Sequence, residues 1–127
     1  MTFEKAMFPI LRKRKVTDEK TGEVTYEDYV STVEGYTFGV QLPQSMEHVA
    51  IGVYKRAAYN KTVKGMAAWV VSDLETGYMI CEGDTRKKAV ERFLMVLAPK
   101  YDRLRHANDG KDYGKMVEKF NSMVEGW

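Results

Sequence analysis

The sequence has little of what several protein classes require. Its single cysteine, Cys81, excludes an intramolecular disulfide scaffold and a zinc site built from several thiolates. The longest uninterrupted apolar runs, 66–71 and 93–98, have six residues each, whereas a membrane-spanning helix needs about 20. The N-terminus lacks the apolar stretch of a signal peptide. These absences predict a protein of the reducing cytoplasm that does not enter a membrane.

Catalytic and metal-binding motifs are scarce as well. The two histidines, His48 and His106, are far apart, and neither belongs to a metal-ligand motif. The glycines form no phosphate-binding motif. An acidic cluster around one predicted hairpin indicates either a divalent-cation site or hydrogen bonding within the turn. It consists of Asp73, Glu75, Glu82 and Asp84. We favour the turn, so the sequence predicts no metal, no cofactor and no catalytic residue.

The sequence does contain enough apolar material for one folded domain. Of its 127 residues 44% are hydrophobic, and no linker or repeat divides residues 1–127. Apolar residues alternate with polar ones up to about residue 83 and recur at helical spacing after it. This change predicts a single α+β domain, in which two or three C-terminal helices pack on one face of an antiparallel sheet of five or six strands.

The individual elements follow from the same periodicity. Residues 3–7 are predicted to form a short helix that Pro9 limits, and residues 10–16 a strand that leads into a turn-rich segment. Val24 and Tyr26 resume the alternation after the turn-rich segment. Further strands are predicted over 36–42, 49–53, 66–72 and 78–82, and helices over 86–97, 101–107 and 113–127.

The net charge of +2 hides an alternation of sign along the chain. Six consecutive segments, which end at residues 20, 50, 71, 84, 105 and 127, carry net charges of +3, −5, +4, −4, +5 and −1. Such blocks indicate either oppositely charged neighbouring strands and helix faces within one fold, or a surface with separate positive and negative sides. The sequence leaves both alternatives open.

Three basic segments are candidate contacts for nucleic acid or for a partner protein. Residues 54–64 interleave two tyrosines with four bases, a composition suited to phosphate contacts and base stacking, although a solvated hairpin loop explains it equally. A second segment lies near the N-terminus, and a third at a helix N-terminus, where backbone N–H groups attract anions. The candidate residues are Tyr54, Lys55, Arg56, Tyr59, Lys61 and Lys64, then Arg12, Lys13 and Arg14, then Arg86, Lys87 and Lys88.

The C-terminal segment has the most regular helical pattern in the chain. Its apolar stripe either covers the sheet or forms a dimer or partner interface, to which methionine and aromatic side chains are suited. The stripe consists of Tyr113, Met116, Phe120, Met123 and Trp127. Just before it, residues 101–106 combine tyrosine, arginine and histidine, the groups that metal-independent ribonucleases use. A helix surface explains that combination at least as well.

One short unit resembles a known family. The step Gly83-Asp84-Thr85 into an amphipathic helix that contains Ala89 is similar to the sheet-to-helix junction of HicB-type antitoxins, where G-x-T-x-x-x-A starts the helix. Unlike that family, the chain has a long N-terminal strand region and no evident ribbon-helix-helix or helix-turn-helix segment. The resemblance therefore assigns no functional residue.

Together these features favour a non-enzymatic binding module. The leading hypothesis is a small regulator or inhibitor that docks on a nucleic-acid-handling protein or nucleoprotein, as phage or mobile-element inhibitors of host defence nucleases (anti-CRISPR proteins) do. The first alternative is direct binding of single-stranded nucleic acid through residues 54–64, and the second is a metal-independent ribonuclease. A homodimer through the C-terminal stripe is a further prediction.

Overall fold

The structure, a computed structural model, describes residues 1–56 and 67–126. Within them a five-stranded antiparallel sheet has the order β1-β2-β3-β4-β5, so each strand pairs with its neighbours in sequence. The strands are β1 (Glu4–Thr17), β2 (Val24–Gln41), β3 (His48–Lys55), β4 (Trp69–Asp73) and β5 (Met79–Gly83). The predicted α+β class and antiparallel sheet are confirmed.

The N-terminal residues belong to a strand, so the predicted helix over residues 3–7 is wrong. β1 pairs with β2 along its whole length. Pro9 does not end the strand because β1 lies at the edge of the sheet, where a residue without an N–H is tolerated. The pairing with β2 therefore overrides the helical spacing of the first apolar residues.

The two faces of the sheet bury separate apolar clusters. On one face the helices pack on the sheet, and the Phe93 ring makes edge-to-face contacts with Phe38 and Tyr101. On the other face β1 folds over β3 and β4, and Phe8 packs against Tyr54. Strands β3 and β4 are therefore covered on both sides, which explains why β4 has no polar alternation at its start.

The helical part of the chain follows β5. Helix α1 (Arg86–Arg92) continues through a π-helical turn (Phe93–Leu97) into α2 (Ala98–His106), and a short 3-10 segment precedes α3 (Lys111–Glu125). In residues 67–126 only α3 exceeds ten residues, so one long helix after short helical pieces replaces the two or three helices predicted. Pro99 does not interrupt the run because it lies in the first turn of α2, where its missing N–H costs little.

The turn between β4 and β5 contacts both β1 and α3. Gly77 in this turn has a φ of +72°, and its carbonyl accepts a hydrogen bond from the Leu11 N–H at 2.9 Å. The Phe120 ring of α3 packs directly against Gly77. The turn therefore joins the edge strand to the C-terminal helix.

Candidate functional site

A buried arginine occupies the space between the helices and the β4–β5 turn. The guanidinium of Arg105 donates to Glu75 Oε2 at 2.9 Å and forms an ion pair with Glu47. It also donates to the hydroxyls of Tyr113, at 2.6 Å, and Tyr101, at 3.1 Å. Asp73 accepts a hydrogen bond from one of these hydroxyls. We call this group the Arg105 cluster: Arg105, Glu47, Asp73, Glu75, Tyr101 and Tyr113.

The pKa values of the two tyrosines and of the arginine in the Arg105 cluster are all raised above their ordinary values. Burial raises the pKa of Tyr113, and its hydrogen bond to Asp73 Oδ2 at 2.6 Å raises it further. Burial also raises the pKa of Tyr101. Burial alone would lower the pKa of Arg105, but the hydrogen bonds to Glu47 and Glu75, together with the neighbouring tyrosines, outweigh this and raise it. A general acid or base needs a pKa near the working pH, so the raised pKa values of Tyr101 and Tyr113 do not favour proton transfer by these two hydroxyls.

The Arg105 cluster ties distant parts of the chain together. Glu47 precedes β3, Asp73 ends β4, and Tyr113 lies in the first turn of α3. The partners of Glu47 and Tyr113 are 58 and 40 residues away in sequence, respectively. The sequence pointed separately to residues 101–106, Tyr113 and Asp73 and did not point to Glu47, because only the folded chain brings these residues together.

Asp102 anchors α2 to the loop between β2 and β3. Its Oδ2 accepts hydrogen bonds from the backbone N–H groups of Gln44, at 2.8 Å, and Ser45, at 2.9 Å. Burial alone would raise the pKa of Asp102, but the hydrogen bonds from Ser45 and Gln44 outweigh it and lower the pKa. His106 Nε2 lies 2.9 Å from Glu47 Oε2. His106 therefore already contacts a carboxylate of the same chain.

A cleft lies against the Arg105 cluster, between β5, α2 and α3. Its volume is about 250 Å³, and Asp73, Thr76 and the two tyrosines of the cluster give it a polar floor. Its walls and rim are apolar apart from one lysine, and they consist of Tyr78, Met79, Ile80, Leu97, Lys100, Leu104 and Met116. A mostly apolar concavity with a few buried polar groups is typical of a binding site.

Three apolar residues at the rim of the cleft are exposed. The exposed fractions are 56% for Met79, 47% for Leu104 and 38% for Tyr78. Single exposed apolar residues are ordinary on a protein surface, whereas several around one cavity indicate a contact surface. The sequence contained no signal for this cleft, because its lining comes from three separate elements.

The first predicted basic segment is only partly within the described residues. Tyr54 lies in β3 and not in a loop, and it is buried, so its ring has no free face for a base. Lys55 is exposed at the end of β3, and Arg56 forms an ion pair with Glu82 at 2.7 Å. The remaining candidates, Tyr59, Lys61 and Lys64, lie outside the described residues.

The third basic segment begins α1. The Arg86 guanidinium lies over the Phe3 ring at 4.9 Å and the Tyr36 ring at 4.6 Å, so it fastens the helix to the sheet. Lys87 lies 4.0 Å from Glu91, and the exposed Lys88 follows it. Two of the three bases are therefore engaged within the chain.

The second basic segment lies on a projecting part of the β1–β2 hairpin. Residues 13–27 are all exposed, because β2 pairs with β3 only from Gly35 onward. We call residues 13–27 the ribbon. Lys13 and Arg14 lie on the ribbon, whereas the half-buried Arg12 lies at its base. Because Arg86 of the third segment contacts Phe3, just before β1, it lies near the opposite end of this strand from Lys13 and Arg14.

The C-terminal stripe belongs partly to the core. Tyr113 and Phe120 are buried within the chain, so they cannot form the surface of a dimer. Met116 and Met123 are half-buried, and Met116 lines the cleft. Trp127 lies outside the described residues.

Comparison of the chain with protein-family models, with curated proteins and with solved structures found no match. In residues 1–56 and 67–126, no group of three or more histidine, cysteine or acidic side chains is arranged to hold a metal ion. No helix in the same part of the chain is long and apolar enough to cross a membrane. Function is therefore inferred from the geometry of the cleft and the ribbon.

Proposed function

We propose that this chain is a non-enzymatic docking module that binds another protein through the cleft. The observation that carries the proposal is the exposed apolar rim of Tyr78, Met79 and Leu104 around a cavity of about 250 Å³. Since an apolar cavity of about 150 Å³ holds benzene, the cleft has room for an aromatic or long aliphatic side chain of the partner. Such anchored side chains supply much of the affinity of protein interfaces.

The floor and the rim of the cleft suit this role for different reasons. The hydrogen bonds of Arg105 to Tyr101 and Tyr113 fix the floor before a partner arrives, which lowers the entropy lost on binding. Met79 and Met116 have flexible, polarisable side chains that adapt to an incoming group.

In its specific form, the proposal is a small regulator or inhibitor of a nucleic-acid-handling protein, for example a phage or mobile-element inhibitor of a host defence nuclease. At the cleft, a protein target is supported over a phosphate backbone because Lys100 is the only basic residue in a mostly apolar lining. A partner that handles nucleic acid is supported by Lys13 and Lys15, which are exposed basic residues of the ribbon.

A matched pair of variants tests docking through the cleft. Leu104→Asp places a charge at the rim, whereas Met95→Asp places one at a residue that is 80% exposed and does not line the cleft. We expect the tagged wild-type chain and M95D to recover the same protein from a nuclease-treated lysate of the native host. With that protein purified, L104D should bind about 30-fold more weakly, as expected for loss of a hot-spot contact.

Two results would contradict the proposal. Equal binding by L104D and M95D would exclude the cleft, and recovery of nothing but further copies of this chain would indicate self-association. The specific form is tested separately, by measuring the partner's nucleic-acid binding and cleavage with and without the wild-type chain. A partner whose activity does not change would leave a docking module that is no regulator of nucleic-acid handling.

A further inference from the structure

The ribbon has two faces of different character. Its pairing places Arg14 opposite Glu27 and Lys15 opposite Tyr26. Because successive residues of a strand point to opposite sides, these two pairs lie on opposite faces of the ribbon. Lys13 shares the face of Lys15, and we call Lys13, Lys15 and Tyr26 the lysine face.

The face opposite the lysine face is neutralised within the chain. Arg14 forms an ion pair with Glu27, and its guanidinium lies 5.3 Å from the centre of the Tyr29 ring. The positive charge and the aromatic surface on this side therefore already contact each other.

The lysine face keeps its charge and its aromatic ring accessible. Tyr26 is 69% exposed, and within residues 1–56 and 67–126 neither Lys13 nor Lys15 forms an ion pair. Asp28, which is opposite Lys13 in the register, pairs instead with Lys119 of α3 at 3.1 Å. With that acid neutralised, the lysine face has a net positive charge.

We propose that the lysine face binds single-stranded nucleic acid. Lys13 and Lys15 contact neighbouring phosphates, and Tyr26 stacks on an unpaired base. A single strand fits this arrangement better than a duplex, in which both faces of each base are covered by its neighbours. The site differs from residues 54–64 and does not depend on the cleft.

Fluorescence anisotropy with labelled oligo-dT and oligo-U strands of about 12 nucleotides tests this site. We expect binding that weakens with added salt, and a smaller salt dependence for the double variant Lys13→Ala/Lys15→Ala. Loss of two phosphate contacts should reduce the slope of log K against log salt by about 1.4. Tyr26→Ala should bind about tenfold more weakly, whereas Tyr26→Phe, which retains the ring, should bind like the wild type.

The double variant Lys111→Ala/Lys115→Ala is the control, because it removes the same charge from exposed positions on α3. It should bind like the wild-type chain, as should Leu104→Asp at the cleft. The proposal is overturned if no strand binds even at low salt, or if both double lysine variants weaken binding equally. It is also overturned if a duplex of the same length binds as tightly as the single strand.

Discussion

Replacing Gly77 by alanine tests whether the β4–β5 turn holds β1 and α3 together. The residue has a φ of +72°, and its carbonyl accepts the Leu11 N–H. A Cβ at this position would lie 2.5 Å from Phe120 Cε1 and 2.7 Å from the Leu11 nitrogen. Because the second contact is with backbone, rotation of a side chain cannot relieve it, and the hydrogen bond to Leu11 must lengthen.

The expected cost has two parts. A left-handed conformation costs alanine about 1–2 kcal/mol, and the lower entropy of the unfolded alanine chain offsets about 0.4–1 kcal/mol of this. Forcing packed groups apart adds about 1–3 kcal/mol. We therefore expect Gly77→Ala to lower the free energy of unfolding by about 1–5 kcal/mol.

Gly22→Ala is the matched control. Gly22 has the same φ of +72° in the β1–β2 turn, but a Cβ there would meet nothing within 4 Å. It should cost only the conformational part, about 1 kcal/mol or less. Urea unfolding followed by circular dichroism measures both variants. Equal losses for the two variants would refute the close three-way contact at Gly77.

Three further predictions concern buried polar groups. Arg105→Met should cost about 2–4 kcal/mol in urea unfolding, because it leaves Glu47 and Glu75 without their cation; a loss below 1 kcal/mol would contradict a structural role. Asp102→Asn should destabilise the chain at neutral pH. The folded state lowers the pKa of Asp102, so the carboxylate stabilises above the unfolded pKa of 3.8, and its contribution is lost as pH falls through the folded pKa. Urea midpoints of wild type and D102N should therefore converge in acid, and a constant difference would contradict this. Burial raises the pKa of Cys81 to about 11, so a disulfide reagent at mildly alkaline pH should label it only as urea unfolds the chain; rapid labelling of the native protein would contradict its burial.

The sheet was predictable from the sequence wherever one face of a strand is apolar. Tyr36, Phe38 and Val40 alternate with polar or small residues, and they contribute to the core beneath the helices. The same rule failed for residues 3–7, whose apolar spacing also fits a helix. There the choice depends on a partner strand more than twenty residues away, which local periodicity does not contain.

The candidate sites were less predictable than the sheet. Residue type alone suggested Tyr54 as a stacking residue, but its place in a strand covered on both faces buries it. Tyr26, on the exposed ribbon, is not next to any base in sequence, since Glu27 and Asp28 follow it, and it meets Lys15 only across the hairpin. The cleft has no sequence signal at all, since its lining combines β5 with α2 and α3.

The charge blocks are explained by the antiparallel topology. In a sheet whose strands pair with their sequence neighbours, consecutive segments of opposite sign become adjacent strands. Arg14 of the first basic block accordingly pairs with Glu27 of the first acidic block. Arg56 of the second basic block pairs with Glu82 of the second acidic block. Of the two alternatives that the sequence left open, these pairs favour complementary charges within one fold.

This internal pairing also changes which charges matter for binding. A base that faces an acid across a strand pair contributes little to the field that a nucleic acid meets, however dense the basic run is in sequence. The basic run of residues 12–15 alternates between the two faces of the ribbon, and only one face has its acid neutralised from elsewhere, by Lys119. Binding by this chain should therefore depend on the face to which a lysine points, and not on the number of lysines nearby.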